Sequence, residues 1–363
     1  MATIAENIQT LRSIKTDIKN AILQKGGVVT DAFGGYAQAI TNLPSGGGGG
    51  TENEDALVQR TISVYSNDRV SVVGDYAFTN CTSLTSISLP LCEYVGSNAF
   101  YSCTKLASID LPNCSLINKY GFGCCSSLMS VNLPLCTSIE SDAFINCSAL
   151  SYISLPNCSY IGSNAFYSCT KLASIDLPNC SLINEFGFGY CSSLMSVNLP
   201  LCTSINNDTF FYCTSLTFIS LPLCEYLGAG AFDNCRALSF IDLPNCSYLG
   251  MGALSNCYKL TVIKIPVCTV LDYGCIKDCS ILTQVYLNSV SSVTDMMYGN
   301  VFSNCPKLTS IYVPASLVDA FKTASNWSSI SDKIVAYREI ANIGPGDFDH
   351  GGVGGGDTDA PIE

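Results

Sequence analysis

The sequence predicts a repeat solenoid: a parallel, β-rich array of about eleven 22-residue coils, with a small N-terminal α-helical module and a helix-containing C-terminal cap. Three observations carry this reading. Leu-Pro or Ile-Pro recurs at Pro90, Pro112, Pro134, Pro156, Pro178, Pro200, Pro222, Pro244 and Pro266, always 22 residues apart. Twenty of the 22 cysteines fall in two columns of the same period, one from Cys92 to Cys268 and one from Cys81 to Cys305. The segment Cys92–Leu155 returns, nearly unchanged, as Cys158–Leu221, an offset of 66 residues or three coils. A fixed period in this range marks stacked supersecondary units that meet only their neighbours, and such an array tolerates an in-register block duplication.

Residues 1–44 read as an attachment or oligomerisation module. Ile4, Ile8, Leu11, Ile18 and Ile22 alternate at spacings of three and four, with Lys15 in the one polar slot. That is a helical seam, ended by Gly26-Gly27. The same stripe also suits a small hairpin packing only on itself. Residues 45–56 form a glycine-rich, acidic linker.

The array spans 57–308, with 57–77 as its N-terminal cap. Each coil repeats L-x-x-I-x-L-P, from Leu84, Ile87, Leu89 and Pro90 onward. Its last three apolar/polar alternations predict a short strand with one face buried, stopped by a proline that cannot donate to the ladder. A second extended piece ends in the column Val73, Val95, Ile117, Ile139. The residue after it is often Gly or Asn (Gly74, Gly96, Asn118, Gly162, Asn184), the chemistry of a turn with positive φ. One coil buries too little to offset about 1.5 kcal/mol of ordering entropy per residue, so stacking supplies the burial.

Segment 309–341 is the C-terminal cap, in which Val318, Phe321 and Trp327 close the last coil. An open solenoid end is an exposed sheet edge. The remainder, 342–363, is acidic and glycine-rich and is expected to be disordered.

The composition narrows the function. With 48% hydrophobic and 13% charged residues, the chain has the apolar content for a large core. A net charge of −12 opposes nucleic acid and anionic bilayers. No apolar run reaches the roughly 18–20 residues of a membrane span. The opening MATIAENIQTLRSIK lacks the charge and apolar pattern of a secretory signal, which predicts synthesis in a cytosol without standard export. The one histidine, His350, sits in the tail, so no Ser-His-Asp or Cys-His set can be assembled in the array. No phosphate loop or dinucleotide fingerprint is present, and Cys275/Cys279 is the one spacing that resembles a zinc knuckle. We expect no enzyme activity, no cofactor and no metal. Asp110, Asp176 and Asp242 are three coils apart, too far for a carboxylate pair, whose separation is at most about 9.5 Å. The column cysteines read as small buried hydrophobes in reduced thiol ladders, and Cys124, outside both columns, as an exposed thiol.

Candidate binding residues are aromatics at positions with no fixed column identity. Tyr101, Tyr120, Tyr167, Phe186, Tyr190, Phe211 and Tyr212 fall in the turn around the Ala-Phe element. Tyr152, Phe218 and Phe240 share a column with Ser86, Ser108 and Ser130. They form either a partner or glycan surface or packing against neighbouring coils.

The pattern C-x-x-L-x-x-I-x-L-P…I-G-x-x-A-F-x-x-C, over about Leu57–Ala341, resembles the BspA-like, or Treponema-type, leucine-rich repeat. That resemblance implies a right-handed parallel leucine-rich-repeat array used in adhesion and in protein or glycan binding, without catalysis. Thr309–Tyr337 is similar to a recurrent end-cap of such arrays. The N-terminal pattern I-x-x-L-x-x-I-K-x-x-I-x-x-A-I-x-x-K-G…F-x-x-Y-A-x-x-I resembles the leader of tailed-phage virion proteins. It implies a virion fibre or decoration protein made in the host cytoplasm. Such a protein attaches as a homo-oligomer to other virion proteins through the N-terminal module and presents the array to a host cell-surface protein or glycan. The alternative is a bacterial cell-surface adhesin of the repeat family.

Overall fold

A computed structural model describes residues 62–297 and 301–338. The N-terminal module 1–44 and its stripe Ile4, Ile8, Leu11, Ile18 and Ile22, the linker 45–56, and the acidic tail 342–363 lie outside the described residues.

Each coil contributes two short strands. The first holds three residues, as in Ser86–Ser88, and the second two, as in Tyr94–Val95. All ladders are parallel and join residue i to residue i + 22 through most of the array, for example Ile87↔Ile109 and Val95↔Ile117. The two-residue strands form one continuous eleven-stranded side sheet from Val72–Val73 to Asp295–Met296. Twelve longer strands line the front, from Val64–Ser66 to Ser310–Pro314. That is one turn more than the leucine column counts, because the first turn lies in the segment read as the N-terminal cap and lacks the leucine and proline marks.

The front ladder is not continuous. It runs from Val64–Ser66 to Tyr152–Ser154, resumes from Ser174–Asp176 to Phe218–Ser220, and resumes again at Phe240–Asp242. Both interruptions follow a coil with an aromatic at the first strand position, Tyr152 and Phe218. They are one duplicated block apart, and the side sheet carries the stack across each.

The core is a set of ladders. Rings of Phe78, Phe100, Phe122, Phe144, Phe166, Phe188, Phe210 and Phe232 stack with centroids 5.0–5.5 Å apart. Leucine and Ile/Val columns fill the space on either side, nearly all fully buried. Twenty-one cysteines are buried and Cys124 is half-buried.

The thiols do more than fill volume. In the column from Cys103 to Cys305, each Sγ–H donates to the carbonyl of a Phe-column residue on the preceding coil at 3.0–3.3 Å, from Cys103 to Phe78 through Cys305 to Ile276. In the other column, Cys92 through Cys268 donate to the carbonyl two residues ahead at 3.1–3.5 Å. The Phe-column carbonyls already accept a backbone N–H within their own coil, as Phe144 O does from Cys147 at 3.1 Å, so the thiol adds a second, inter-coil bond that an alkyl side chain of this size could not make.

One turn expectation is corrected. Gly74, Gly96, Asn118, Gly162 and Asn184 do not have positive φ; the left-handed residues come two and six positions later, as at Asn98 (φ 55°) and Ser102 (φ 59°). Gly162 is instead demanded by close approach, since a Cβ there would lie 2.6 Å from the backbone carbon of Glu140 on the preceding coil. The left-handed pair recurs along the array, usually as Asn, Asp, Ser or Gly, which carry the conformation at the least steric cost.

The C-terminal end is closed as the sequence predicts. Strand Ile334–Tyr337 pairs in parallel with Ser310–Pro314 and extends the front sheet. Between them lie the helix Val318–Thr323 and a 3₁₀ segment Ser328–Lys333. Phe321 and Trp327 are fully buried and meet edge-to-face at 4.9 Å, while Val318 is partly buried beside them. The Trp327 Nε1–H donates to Thr294 O at 2.8 Å, so the indole satisfies a carbonyl at the end of the last regular coil.

Candidate functional site

The ten candidate aromatics separate into two groups. Tyr152, Phe218 and Phe240 stand on the front face and are exposed by 58%, 57% and 38%. Their strand position alternates with the buried Ile column, so the pleat turns them outward. Met129 and Met195, also exposed, precede the strands one coil upstream, and the Tyr152 and Phe218 amides donate to their carbonyls at 3.4 Å. The front face thus carries one pair, Met129 and Tyr152, and three coils later a larger group, Met195, Phe218 and Phe240. The Lys264 ammonium lies 5.4 Å from the Phe240 ring centre and 4.0 Å from Asp242.

The seven turn aromatics are half-buried and pack on one another. Tyr101 and Tyr120 meet edge-to-face at 5.8 Å, and the duplicated block repeats this as Tyr167 and Phe186 at 6.1 Å. The second block has grown. It differs from the first at 14 of 64 positions, and three of those add a ring: Cys124, Ile145 and Asn146 are replaced by Tyr190, Phe211 and Tyr212. These complete a spine. Tyr167 to Tyr190 is 5.2 Å, Tyr190 to Tyr212 is 5.1 Å, and the Arg236 guanidinium lies 5.6 Å from Tyr212 and 5.7 Å from Tyr258. Phe211 wedges edge-on between Tyr190 and Tyr212. Each of the seven rings thus meets at least one other, mostly edge-on, while remaining half-buried.

Tyr120, Phe186, Tyr190 and Tyr212 all hold left-handed backbone, with φ of 55–60°. Each costs about 1–2 kcal/mol relative to an ordinary conformation, and each ring contact returns about 0.5–1.5 kcal/mol. The two effects nearly cancel.

The Asp110, Asp176 and Asp242 carboxylates are exposed rungs of the front face. They accept from Ser88 Oγ at 3.3 Å, accept from Asn198 Nδ2 at 3.0 Å, and pair with Lys264, respectively. Among the described residues no group of three or more His, Cys, Asp or Glu is arranged to hold a metal ion. Burial pushes the Cys158 and Cys202 thiols up to about 11 and those of Cys136, Cys180 and Cys191 to about 12, far from nucleophilic thiolates. Cys124 is half-buried, with Asn146 Nδ2 3.9 Å from its sulfur. His350 lies outside the described residues. No helix among them is long and apolar enough to cross a membrane.

Sequence reasoning missed Arg236 and Tyr258. The signal was present: their column otherwise holds Ser, Thr or, at the last coil, Pro306. It also missed a groove on the turn edge. Asn256, Tyr258, Asp278, Ser280, Asn304 and Pro306 line a cleft of about 480 Å³. A second hollow of about 300 Å³ shares Asn256 and Asp278 and extends back to Asp208. Gly230, Gly252 and Gly274, all with positive φ, stand in the column that holds Tyr120 and Phe186 elsewhere, and their missing side chains open this side.

Parallel 22-residue coils with buried Leu, Ile/Val and Cys ladders define a leucine-rich-repeat solenoid, a class of typically non-enzymatic scaffolds that bind through extended surfaces. The chain belongs to the BspA type leucine rich repeat region family, whose repeat model matches residues 60–157, 115–223 and 203–330. Among curated proteins, none matches the chain. Solved structures similar to it include a leucine-rich repeat protein from Bacteroides ovatus, at 22% identity over 76% of this chain and 92% of that one, with a TM-score of 0.38. A T. pallidum leucine-rich repeat protein is 31% identical over 47% of this chain and 72% of that one, TM-score 0.36. The pneumococcal vaccine antigen PcpA is 20% identical over 74% and 72%, TM-score 0.48. Family membership rests on the repeat match and not on these structures.

Proposed function

We propose that the array is a non-enzymatic adhesion module of the bacterial cell surface, docking a host protein through its front face. The observation that carries this is the exposed group Met195, Phe218 and Phe240, with its smaller counterpart Met129 and Tyr152. Serine occupies the same strand position in most other coils, so the fold does not require rings there. Exposed, clustered Met and aromatic side chains on a polar surface are what protein interfaces use at their centres. Two such groups three coils apart also permit two-point attachment, in which the second contact forms at high effective concentration. The front carboxylates Asp110, Asp176 and Asp242 stand three coils apart, too far to work as a pair.

The test replaces Tyr152, Phe218 and Phe240 by the serine of their column. The triple variant should keep its thermal transition within a few degrees and lose binding to host-cell surface protein by well over ten-fold, about 1.4 kcal/mol per decade. Undiminished binding by a folded triple variant would remove the front face from consideration.

A second reading, a virion fibre or decoration protein, is motivated by the leader pattern at Ile4, Ile8, Leu11, Ile18 and Ile22. There the leader joins the protein to other virion proteins as a homo-oligomer. Fractionation separates the two readings: recovery in purified particles supports the second, and recovery with the bacterial envelope supports the first.

A further inference from the structure

We infer that the turn-edge cleft beside Tyr258 is a binding site for a neutral oligosaccharide, distinct from the front face. Tyr258 departs from a column whose serines and threonines bond the preceding coil, as Thr214 Oγ1 does to Ser192 O at 3.3 Å and Ser280 Oγ to Tyr258 O at 3.5 Å. The ring gives up that bond and stands 38% exposed. Arg236, on the preceding coil, covers one face of it. Every other residue lining the cleft belongs to Tyr258's own coil or the two that follow, so the opposite ring face borders the open space. An aromatic face of this kind accepts the C–H face of a pyranose.

The polar groups of the cleft suit hydroxyls. Asn256, Asp278 and Asn304 occupy the same left-handed position on three successive coils, with φ of 59°, 59° and 57°, and so form a ladder along one edge. Their orientation is set by bonds already made. Tyr258 Oη–H donates to Asn256 Oδ1 at 3.1 Å, Asn256 Nδ2 donates to Asp233 Oδ1 at 2.8 Å, and Asn304 Nδ2 donates to Asp278 Oδ1 at 2.7 Å. Amide and carboxylate lone pairs remain for a chain of vicinal hydroxyls. Among the described residues no cation lines this cleft, and its one charged group is Asp278, paired at 3.6 Å with Lys277. Across the cleft and the adjoining hollow the charged lining is Asp208, Asp233 and Asp278 against the single ammonium of Lys277, so phosphate, sulfate or a sugar acid would meet a net negative surface. The adjoining hollow prolongs the groove along the array axis, at the rung spacing of about 5 Å shown by the phenylalanine ladder, which is close to the length of one sugar unit. A linear chain of several units can therefore address successive coils.

The probes are cellotetraose, chitotetraose and mannotetraose, with a heparin tetrasaccharide and tetralysine as charged comparators. Saturation-transfer NMR and calorimetry on the full chain should register at least one neutral tetrasaccharide, and neither comparator should compete with it. Tyr258→Ser restores the column residue, so the fold should hold, and the Kd should rise about ten-fold, the equivalent of 1.4 kcal/mol. Asp278→Asn keeps a left-handed-tolerant residue and should weaken binding several-fold. The inference is overturned by silence of all three neutral probes at millimolar concentration, by an unchanged Kd in Tyr258→Ser, or by preferential binding of heparin or tetralysine. The front-face triple variant should bind the sugar normally, so loss of one activity leaves the other standing.

Discussion

At the residue scale, cysteine in this protein is a donor as well as a filler. Cys169 Sγ lies 3.2 Å from Phe144 O on the preceding coil, in a fully buried layer. Cys169→Ala should cost about 1–2 kcal/mol, from the small void and the lost second hydrogen bond to Phe144 O, which keeps its bond from Cys147 N–H at 3.1 Å, and a lowered denaturation midpoint would register it. Thiol accessibility follows the same burial. In native protein we expect one fast-reacting thiol, Cys124, and all 22 after denaturation without reductant. A denatured count well below that would show cross-links in place of stacked thiols. Gly162→Ala puts a methyl against the Glu140 and Ser141 backbone and should destabilise by about 1–3 kcal/mol, since backbone yields less readily than side chain. Tyr190→Asn should change stability by less than about 1 kcal/mol, because relief of left-handed strain offsets the lost ring contacts.

At the scale of elements, the cap and the front ladder differ in how far the sequence announced them. Val318, Phe321 and Trp327 were legible as a lid because a run of large apolar residues after the last coil must cover an edge. Trp327→Ala removes both the buried ring and the donor to Thr294 O, and should cost about 3–5 kcal/mol and favour aggregation through the uncovered end. The interruptions after Tyr152–Ser154 and Phe218–Ser220 were not legible. The residues on either side keep the column pattern, and whether two rungs bond depends on their relative height. Amide hydrogen exchange should find the front strands at these two junctions less protected than the continuous side sheet.

For the whole molecule, the thiol ladders tie stability to pH. Burial raises the folded thiols of Cys158 and Cys202 to about 11, and those of Cys136, Cys180, Cys191, Cys224, Cys246 and Cys268 to about 12. A folded pKa above the unfolded one gives stability that is complete below the unfolded value, near 8.5–9, and lost as pH rises toward the folded value. Each such thiol contributes a loss of about 1.4 kcal/mol per pH unit in that window, and many act together. The thermal transition should be level from about pH 6 to 8 and collapse between about pH 9 and 10.5. A transition that declines by only one thiol's worth would mean the ladders are already solvated.

The sequence by itself determined what every coil shares. The 22-residue period, the Leu, Ile/Val, Phe and Cys columns, the closing cap and the block duplication are properties of like positions, and stacking like on like reproduces them without reference to any particular neighbour. Tertiary structure decided what depends on unlike neighbours. It turned Tyr152, Phe218 and Phe240 out to solvent, yet it paired the rings of Tyr190, Phe211 and Tyr212 among themselves under Arg236. It placed the left-handed residues beyond the column glycines and opened a cleft where Asn256, Tyr258, Asp278 and Asn304 meet. Those outcomes are set by which side chain stands on the next rung about 5 Å away, and a column read down the sequence cannot show which of its members that neighbour covers.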